Sequence, residues 1–253
     1  MVEILLPQKI GIALDVDGTL VDTAFECYKR TKEAWEHKYG EEFPLSYDQF
    51  REFRPFVAHA EDYFSYSRMM IENDGKLPEN AKELNEKYLK NPDINELKTL
   101  FYEMRKRKMN EDKEGWIKEN KVYEGVTEMM KNLGETEWDV FVATSKDKKS
   151  VEEILGYHGL DKTIKAIYDK DDGKRPEQFM KASKERGIEI PHMIPYDDLP
   201  KQLLIARDMG MSPIAAPQGY GIQEEIEKEG FPFAWPTEFI DKVERVIKER
   251  QRL

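Results

Sequence analysis

The chain has a single cysteine, Cys27, only four histidines, and no apolar run approaching the roughly 20 residues that span a bilayer. One cysteine excludes an internal disulfide framework, and its helical spacing predicts a small core residue. No His or Cys cluster offers a soft metal site. Positive charge is in deficit: 40 Lys and Arg stand against 51 Asp and Glu, a formal net charge of −11. That balance excludes the clustered basic surface that nucleic acid or an anionic membrane would require. The opening residues, Met1 to Pro7, are too short and too acidic for a signal peptide, so the cytoplasm is the expected compartment. Internal repeats and low-complexity segments are lacking too.

What is abundant is charge of both signs. Charged residues make up 36% of the 253, above the roughly 25% of ordinary domains, with Lys and Glu dominant. This bias occurs in proteins from hot environments and equally in long solvated helices. The length suffices for one large domain or for a core with a smaller companion.

The most informative stretch is Asp15-Val16-Asp17-Gly18-Thr19-Leu20-Val21, directly after the apolar run Ile10 to Leu14. Such a run reads as a strand buried on both faces of a parallel sheet, whose ligands sit beyond the carboxyl ends of the strands. Asp15 and Asp17 are two residues apart, so on extended chain their carboxylates project to one side. Gly18 then lets the backbone turn away. Two converging acids can hold a hard cation, and one can attack an electrophile.

Further along, Thr23 with Glu26 makes a capping-box pattern ahead of an apolar stripe, with Gly40 as a helix stop. Ser46 with Gln49 repeats the pattern. From there to about Asn120 the periodicity is helical, and Leu97, Leu100, Phe101 and Met104 share a face. The cluster Arg105 to Lys108 reads as a solvated helix end. After Val122 strand-like and helix-like pieces alternate: strands at Val140 to Ala143, Ile164 to Tyr168, Met193 to Pro195 and Ile214 to Ala216, with helices between and a last one from Glu238. Alternation of this kind means βαβ units and a parallel sheet. The helical block is therefore an insertion after the first strand.

Asp15-x-Asp17-Gly18-Thr19-Leu20-Val21 resembles the first signature of the haloacid dehalogenase superfamily, in the spelling of its phosphatases and phosphomutases. The resemblance implies an α/β fold: a Rossmann-like doubly wound parallel sheet core with an inserted α-helical cap domain. The expected boundaries are 1–22 with 121–253 for the discontinuous core and 23–120 for the cap, a layout like the phosphoglycolate phosphatase and β-phosphoglucomutase branch.

Three more segments resemble the remaining family motifs. Thr144-Ser145-Lys146 follows a predicted strand and precedes a helix, which makes an anion site; the alternative is a helix cap. The resemblance assigns these three to the substrate phosphate. Lys174 resembles the third-motif cation that offsets crowded negative charge, although the wording departs from Lys-Pro-x-Pro and Lys170 competes. Asp198, in Tyr196-Asp197-Asp198, matches the fourth-motif acid, with Asp197 in the usual glycine position; the alternative is a cap for the next helix. The loop Ala216 to Gly221 resembles the one after the last core strand in the same families and reads as a structural turn.

Together these imply phosphoryl transfer. Asp15 is the expected nucleophile and Asp17 the acid/base, with Lys174 neutralising. Mg²⁺ is the expected cofactor, held by the Asp15 carboxylate, the Asp17 carbonyl and Asp198, with Asp197 a further candidate. An acid at residue 17 fits oxygen leaving groups. The cap should close over the site, with Arg54 meeting a second anionic group and His59 a hydroxyl or carboxylate; each is otherwise a structural or surface residue. The aromatic concentration Phe50 to Tyr66 reads as cap core or an oligomer contact. The expected function is a Mg²⁺-dependent phosphatase of a small phosphorylated metabolite, in a monomer or homodimer. A sugar-phosphate mutase and a non-catalytic binding member of the fold are the alternatives.

Overall fold

The computed structural model describes residues 9–250, so the Met1 to Pro7 stretch lies outside the described residues. The chain forms two compact units: one combines the chain up to Asp22 with the chain from Val122 onward, and the other is Thr23–Lys121.

The first unit opens with β1 (Gly11–Leu14), fully buried, and β2 (Val21–Asp22). The second unit is helical: α1 (Ala24–Tyr39), α2 (Tyr47–Glu52), α3 (Ala60–Glu72), α4 (Ala81–Leu89), α5 (Asp93–Glu111) and α6 (Lys113–Lys118). β3 (Lys121–Val122) pairs with β2, and from there strands and helices alternate. They run α7 (Val126–Gly134), β4 (Asp139–Ala143), α8 (Lys148–Tyr157), β5 (Ile167–Tyr168), α9 (Arg175–Arg186), β6 (Met193–Asp197), α10 (Pro200–Asp208), β7 (Ile214–Ala215), α11 (Gln223–Lys228) and α12 (Phe239–Arg250).

The main sheet is five-stranded and parallel, in the order β5-β4-β1-β6-β7. This is the doubly wound α/β architecture expected from the alternation. Leu14 lies opposite Val142 on β4 and Tyr196 on β6, so the residues that follow all three strands emerge at one level of the sheet edge. Pro195 is tolerated inside β6 because the N–H it lacks would face β7, which begins pairing one residue later, at Tyr196. Phe141, Tyr168, Phe179, Ala182, Ile188 and Met193 pack around β1 on one face.

The helical unit has its own core, in which Phe50, Phe53, Tyr63, Phe64, Tyr66 and Phe101 are buried among aliphatic neighbours. The aromatic concentration thus serves packing inside its own unit. Gly40 ends α1 in the left-handed conformation, as the pattern predicts, and Ser46 with Gln49 forms a reciprocal capping box on α2. Two expectations are corrected. Thr23 makes no side-chain cap bond, its backbone at φ −107° and ψ 3° lying outside the extended conformation of a capping residue, and the Glu26 side chain turns inward instead of back. The buried Glu26 carboxylate accepts from Arg105 Nε at 2.9 Å, Arg105 Nη2 at 2.6 Å and Trp116 Nε1 at 3.1 Å. Arg105 is correspondingly buried, with its guanidinium over the Phe101 ring at 4.6 Å, so it does not belong to a solvated helix end. An ionised carboxylate with no water needs such partners. Among the described residues, no helix is long and apolar enough to cross a membrane.

Candidate active site

Asp15 leaves β1 at the sheet's carboxyl edge, its N–H donating to Tyr196 O at 3.0 Å. The chain then folds back on itself: the Val16 carbonyl accepts from the N–H groups of Leu20 and Val21, both at 3.0 Å. Gly18 sits in this turn at φ +87°, a conformation that L side chains avoid, and a Cβ there would lie 2.4 Å from Asp198 Oδ2. The turn therefore presses directly on the acid at the end of β6.

Asp15, Asp197 and Asp198 converge, with one oxygen of each within 4.8 Å of the others. All three are buried. Asp198 is walled in completely: Tyr220 N–H donates to Oδ2 at 2.7 Å, Thr19 Oγ1 reaches Oδ1 at 3.5 Å, and Gly219 lies against its side chain. The loop Pro217 to Gly221 is thus more than a turn, because it holds this carboxylate. Gln218 Nε2 ties the same loop to Thr19 O at 2.8 Å.

The cation among these acids is Arg175. Its Nη2 lies 3.1 Å from Asp15 Oδ1 and 3.0 Å from Asp197 Oδ2, and its Nη1 donates to the Ala143 carbonyl. Lys174, expected in that place, is exposed at the N-cap of α9 and bonds to none of the acids. The physical reason is the helix start. With Pro176 in the first turn, residue 175 is the first helical position and turns inward, whereas residue 174 remains on extended backbone facing out. The signal that finds Arg175 is a cation immediately followed by proline.

Thr144 leaves β4 fully buried, its N–H donating to Tyr168 O at 3.0 Å. Ser145 follows, half-buried, and Lys146 N–H donates to Thr144 Oγ1 at 3.3 Å. The helix N-terminus behind them is already capped by the protein's own anions. Ser150 N–H donates to Asp147 Oδ1 at 2.9 Å and Lys148 N–H to Asp169 Oδ2 at 2.8 Å. The Lys146 ammonium lies 3.1 Å from Asp17 Oδ1. A residue that the sequence did not single out, Gln178, locks these loops together: its Nε2 donates to Thr144 O and Asp169 O, both at 2.8 Å, and to Gly173 O at 3.2 Å.

In the helical unit, Arg54, the expected partner of a second anionic group, makes contacts within that unit. It is buried, with Nη1 donating to Val57 O at 3.3 Å and the guanidinium 5.7 Å from the Tyr63 ring centre, and so belongs to the packing of that unit. His59 is exposed at the N-cap of α3, where its N–H and that of Ala58 donate to Asp62 Oδ2, each at 2.9 Å.

Burial pushes the Asp15 carboxyl above its ordinary range and Asp17 adds to that; Arg175 and Thr144 pull against it. Burial likewise drives Asp197 well above the carboxylate range, reinforced by Asp15 and Asp198, with Arg175 opposing. For Arg175, burial favours the neutral form, but Asp15 and Asp197 outweigh it and hold the guanidinium charged. Four carboxylates (Asp15, Asp17, Asp197 and Asp198) face two cations (Arg175 and Lys146). A divalent cation on these oxygens would balance the remainder, and the all-oxygen donor set suits a hard ion.

Comparison with known proteins agrees with this geometry. The sequence profile of the haloacid dehalogenase-like hydrolases matches residues 12–216. A solved haloacid dehalogenase-like hydrolase of Streptococcus pneumoniae superposes with a TM-score of 0.68 at 16% identity, covering 94% of this chain and 99% of that one. A structure described as a predicted phosphoglycolate phosphatase from Haemophilus somnus gives 0.68 at 16% identity, covering 93% and 98%. A 5'-nucleotidase of Pseudomonas aeruginosa is 30% identical over 112 residues, 43% of this chain; the match spans about half of that relative, 51%. With its profile covering both the first-strand acids and the last strand of the sheet, the chain belongs to the haloacid dehalogenase-like hydrolase family.

Proposed function

We propose that this chain is a Mg²⁺-dependent phosphatase acting on a small phosphorylated metabolite through an aspartyl-phosphate on Asp15. The observation that carries this reading is the convergence of Asp15, Asp197 and Asp198, one oxygen of each within 4.8 Å of the others, with the Arg175 guanidinium paired to Asp15 and Asp197. The solved structure described as a predicted phosphoglycolate phosphatase, and the relative named 5'-nucleotidase, support the same reading.

In the first half-reaction an Asp15 oxygen attacks phosphorus while the bond to the leaving oxygen breaks. The electron pair stays with that oxygen, which takes a proton from the Asp17 carboxyl. In the second half, Asp17 takes a proton from water as the water oxygen attacks phosphorus. The Asp15–phosphorus bond breaks, returning the carboxylate and releasing phosphate. Arg175 keeps Asp15 oriented and offsets the charge that gathers around it. Thr144 and Ser145 present hydroxyls to the phosphoryl oxygens. Mg²⁺, held by Asp15, Asp198 and either Asp197 or the Asp17 carbonyl, would neutralise the phosphate and align it.

Phosphate release from a panel of phosphorylated metabolites, with Mg²⁺ and with excess chelator, tests this reading. It predicts release that needs the metal and is abolished in Asp15→Asn. Isomer formation without release would establish the mutase instead, and undiminished activity of Asp15→Asn would remove the nucleophile.

A further inference from the structure

Lys146 follows the predicted phosphate-gripping hydroxyls, yet its ammonium is not presented as a phosphate ligand. The side chain is 1% exposed, and Nζ lies across the Asp17 carboxylate, 3.1 Å from Oδ1 and 3.4 Å from Oδ2. Asp17 is the more open partner, with its side chain 18% exposed. Among the described residues, no other hydrogen bond or ion pair reaches the Asp17 carboxylate. Lys146 is itself anchored, its N–H bonding to Thr144 Oγ1 at 3.3 Å. A buried ammonium must keep its charged partner, so the pair fixes the Asp17 rotamer against the loop that follows β4.

We infer that Lys146 is a positioning residue for proton transfer: it holds the Asp17 carboxyl where the leaving oxygen departs from phosphorus. The inference rests on the aspartyl-phosphate reading above and deepens it. It separates the two groups of the second motif, giving the hydroxyls of Thr144 and Ser145 to the phosphate and the ammonium to Asp17.

The distinguishing signature is leaving-group dependence. p-Nitrophenyl phosphate expels a stable phenolate and needs little protonation, whereas phenyl phosphate, nearly the same shape, needs much more. Lys146→Met should lower kcat/KM for phenyl phosphate by about 10- to 100-fold and for p-nitrophenyl phosphate by less than about threefold. Lys146→Arg, which keeps a cation, should recover most of the loss on phenyl phosphate. In an Asp17→Asn background, Lys146→Met should cost nothing further, because the two act as one unit. Equal losses on both esters, with weaker inhibition by inorganic phosphate, would overturn the inference in favour of phosphate binding. Equal losses with a lowered melting temperature and unchanged phosphate inhibition would overturn it in favour of a purely structural role. Activity retained in Asp15→Asn is a separate failure, of the underlying reading; an inactive Asp15→Asn beside a Lys146→Met without ester preference sinks the inference alone.

Discussion

Arg175 Nη2 stands 3.1 Å from Asp15 Oδ1, tying the start of α9 to the end of β1 across 160 residues of chain. The same nitrogen reaches Asp197 at 3.0 Å, so one guanidinium serves two acids while its other terminal nitrogen is spent on Ala143 O. A lysine ammonium lacks that fork. Arg175→Met should reduce kcat by about 100-fold or more, and Arg175→Lys by less. Lys174→Met should change kcat/KM by less than about twofold. Steady-state kinetics on the three variants decides between the neighbouring cations.

The packing around Asp198 gives a second prediction. A Cβ on Gly219 would sit 2.2 Å from Asp198 Cβ and 2.3 Å from Gly18 O, and the backbone oxygen cannot step aside. Gly219→Ala should therefore push apart the two loops that hold the acid. The expected loss is about 1–3 kcal/mol of stability, together with weaker Mg²⁺ binding. Calorimetric titration and thermal unfolding measure both.

The helical unit makes a third, independent of catalysis. Glu26 and Arg105 are buried and doubly hydrogen-bonded, with Trp116 as a third partner. Removing one charge strands the other, so Arg105→Met or Glu26→Gln should each cost about 3–5 kcal/mol. The double variant should lose much less than the sum. A double-mutant cycle by chemical unfolding reads the coupling directly.

A pH dependence follows from Asp139 at the opposite, amino-terminal end of the sheet. Burial favours its neutral form, but Arg186 at 2.8 and 2.9 Å and Lys9 at 2.9 Å outweigh burial and hold the carboxyl below its ordinary range. A depressed carboxyl adds stability above its unfolded value, about 4, and loses it as pH falls through the folded value. The unfolding free-energy difference between the natural chain and Asp139→Asn should be flat from pH 7 to about pH 5, then shrink in more acidic solution.

Much of this was readable from the amino acids alone, and the exceptions have physical causes. The first strand, the turn at Gly18 and the place of Asp15 at a strand end follow from short-range order, whereas Asp198 is named only through its resemblance to the fourth family motif. Arg175 was hidden because 174 and 175 are both cations, and their directions depend on which residue starts the helix. Glu26 was misread because Thr-x-x-Glu describes a capping box and an inward carboxylate equally well, and its partner is 79 residues away. Gln178 carried no signal at all: an amide on a helix announces nothing until three loop carbonyls gather around it.

The central claim is a covalent phosphoryl group on Asp15, and a direct search for it is the sharpest test. The enzyme is mixed with Mg²⁺ and a turned-over phosphate ester, quenched in acid within one turnover, and its peptides are weighed. The account predicts one added phosphoryl mass on the peptide that contains Asp15, absent from Asp15→Asn. Turnover with no such adduct, or an adduct on any other residue, would contradict it.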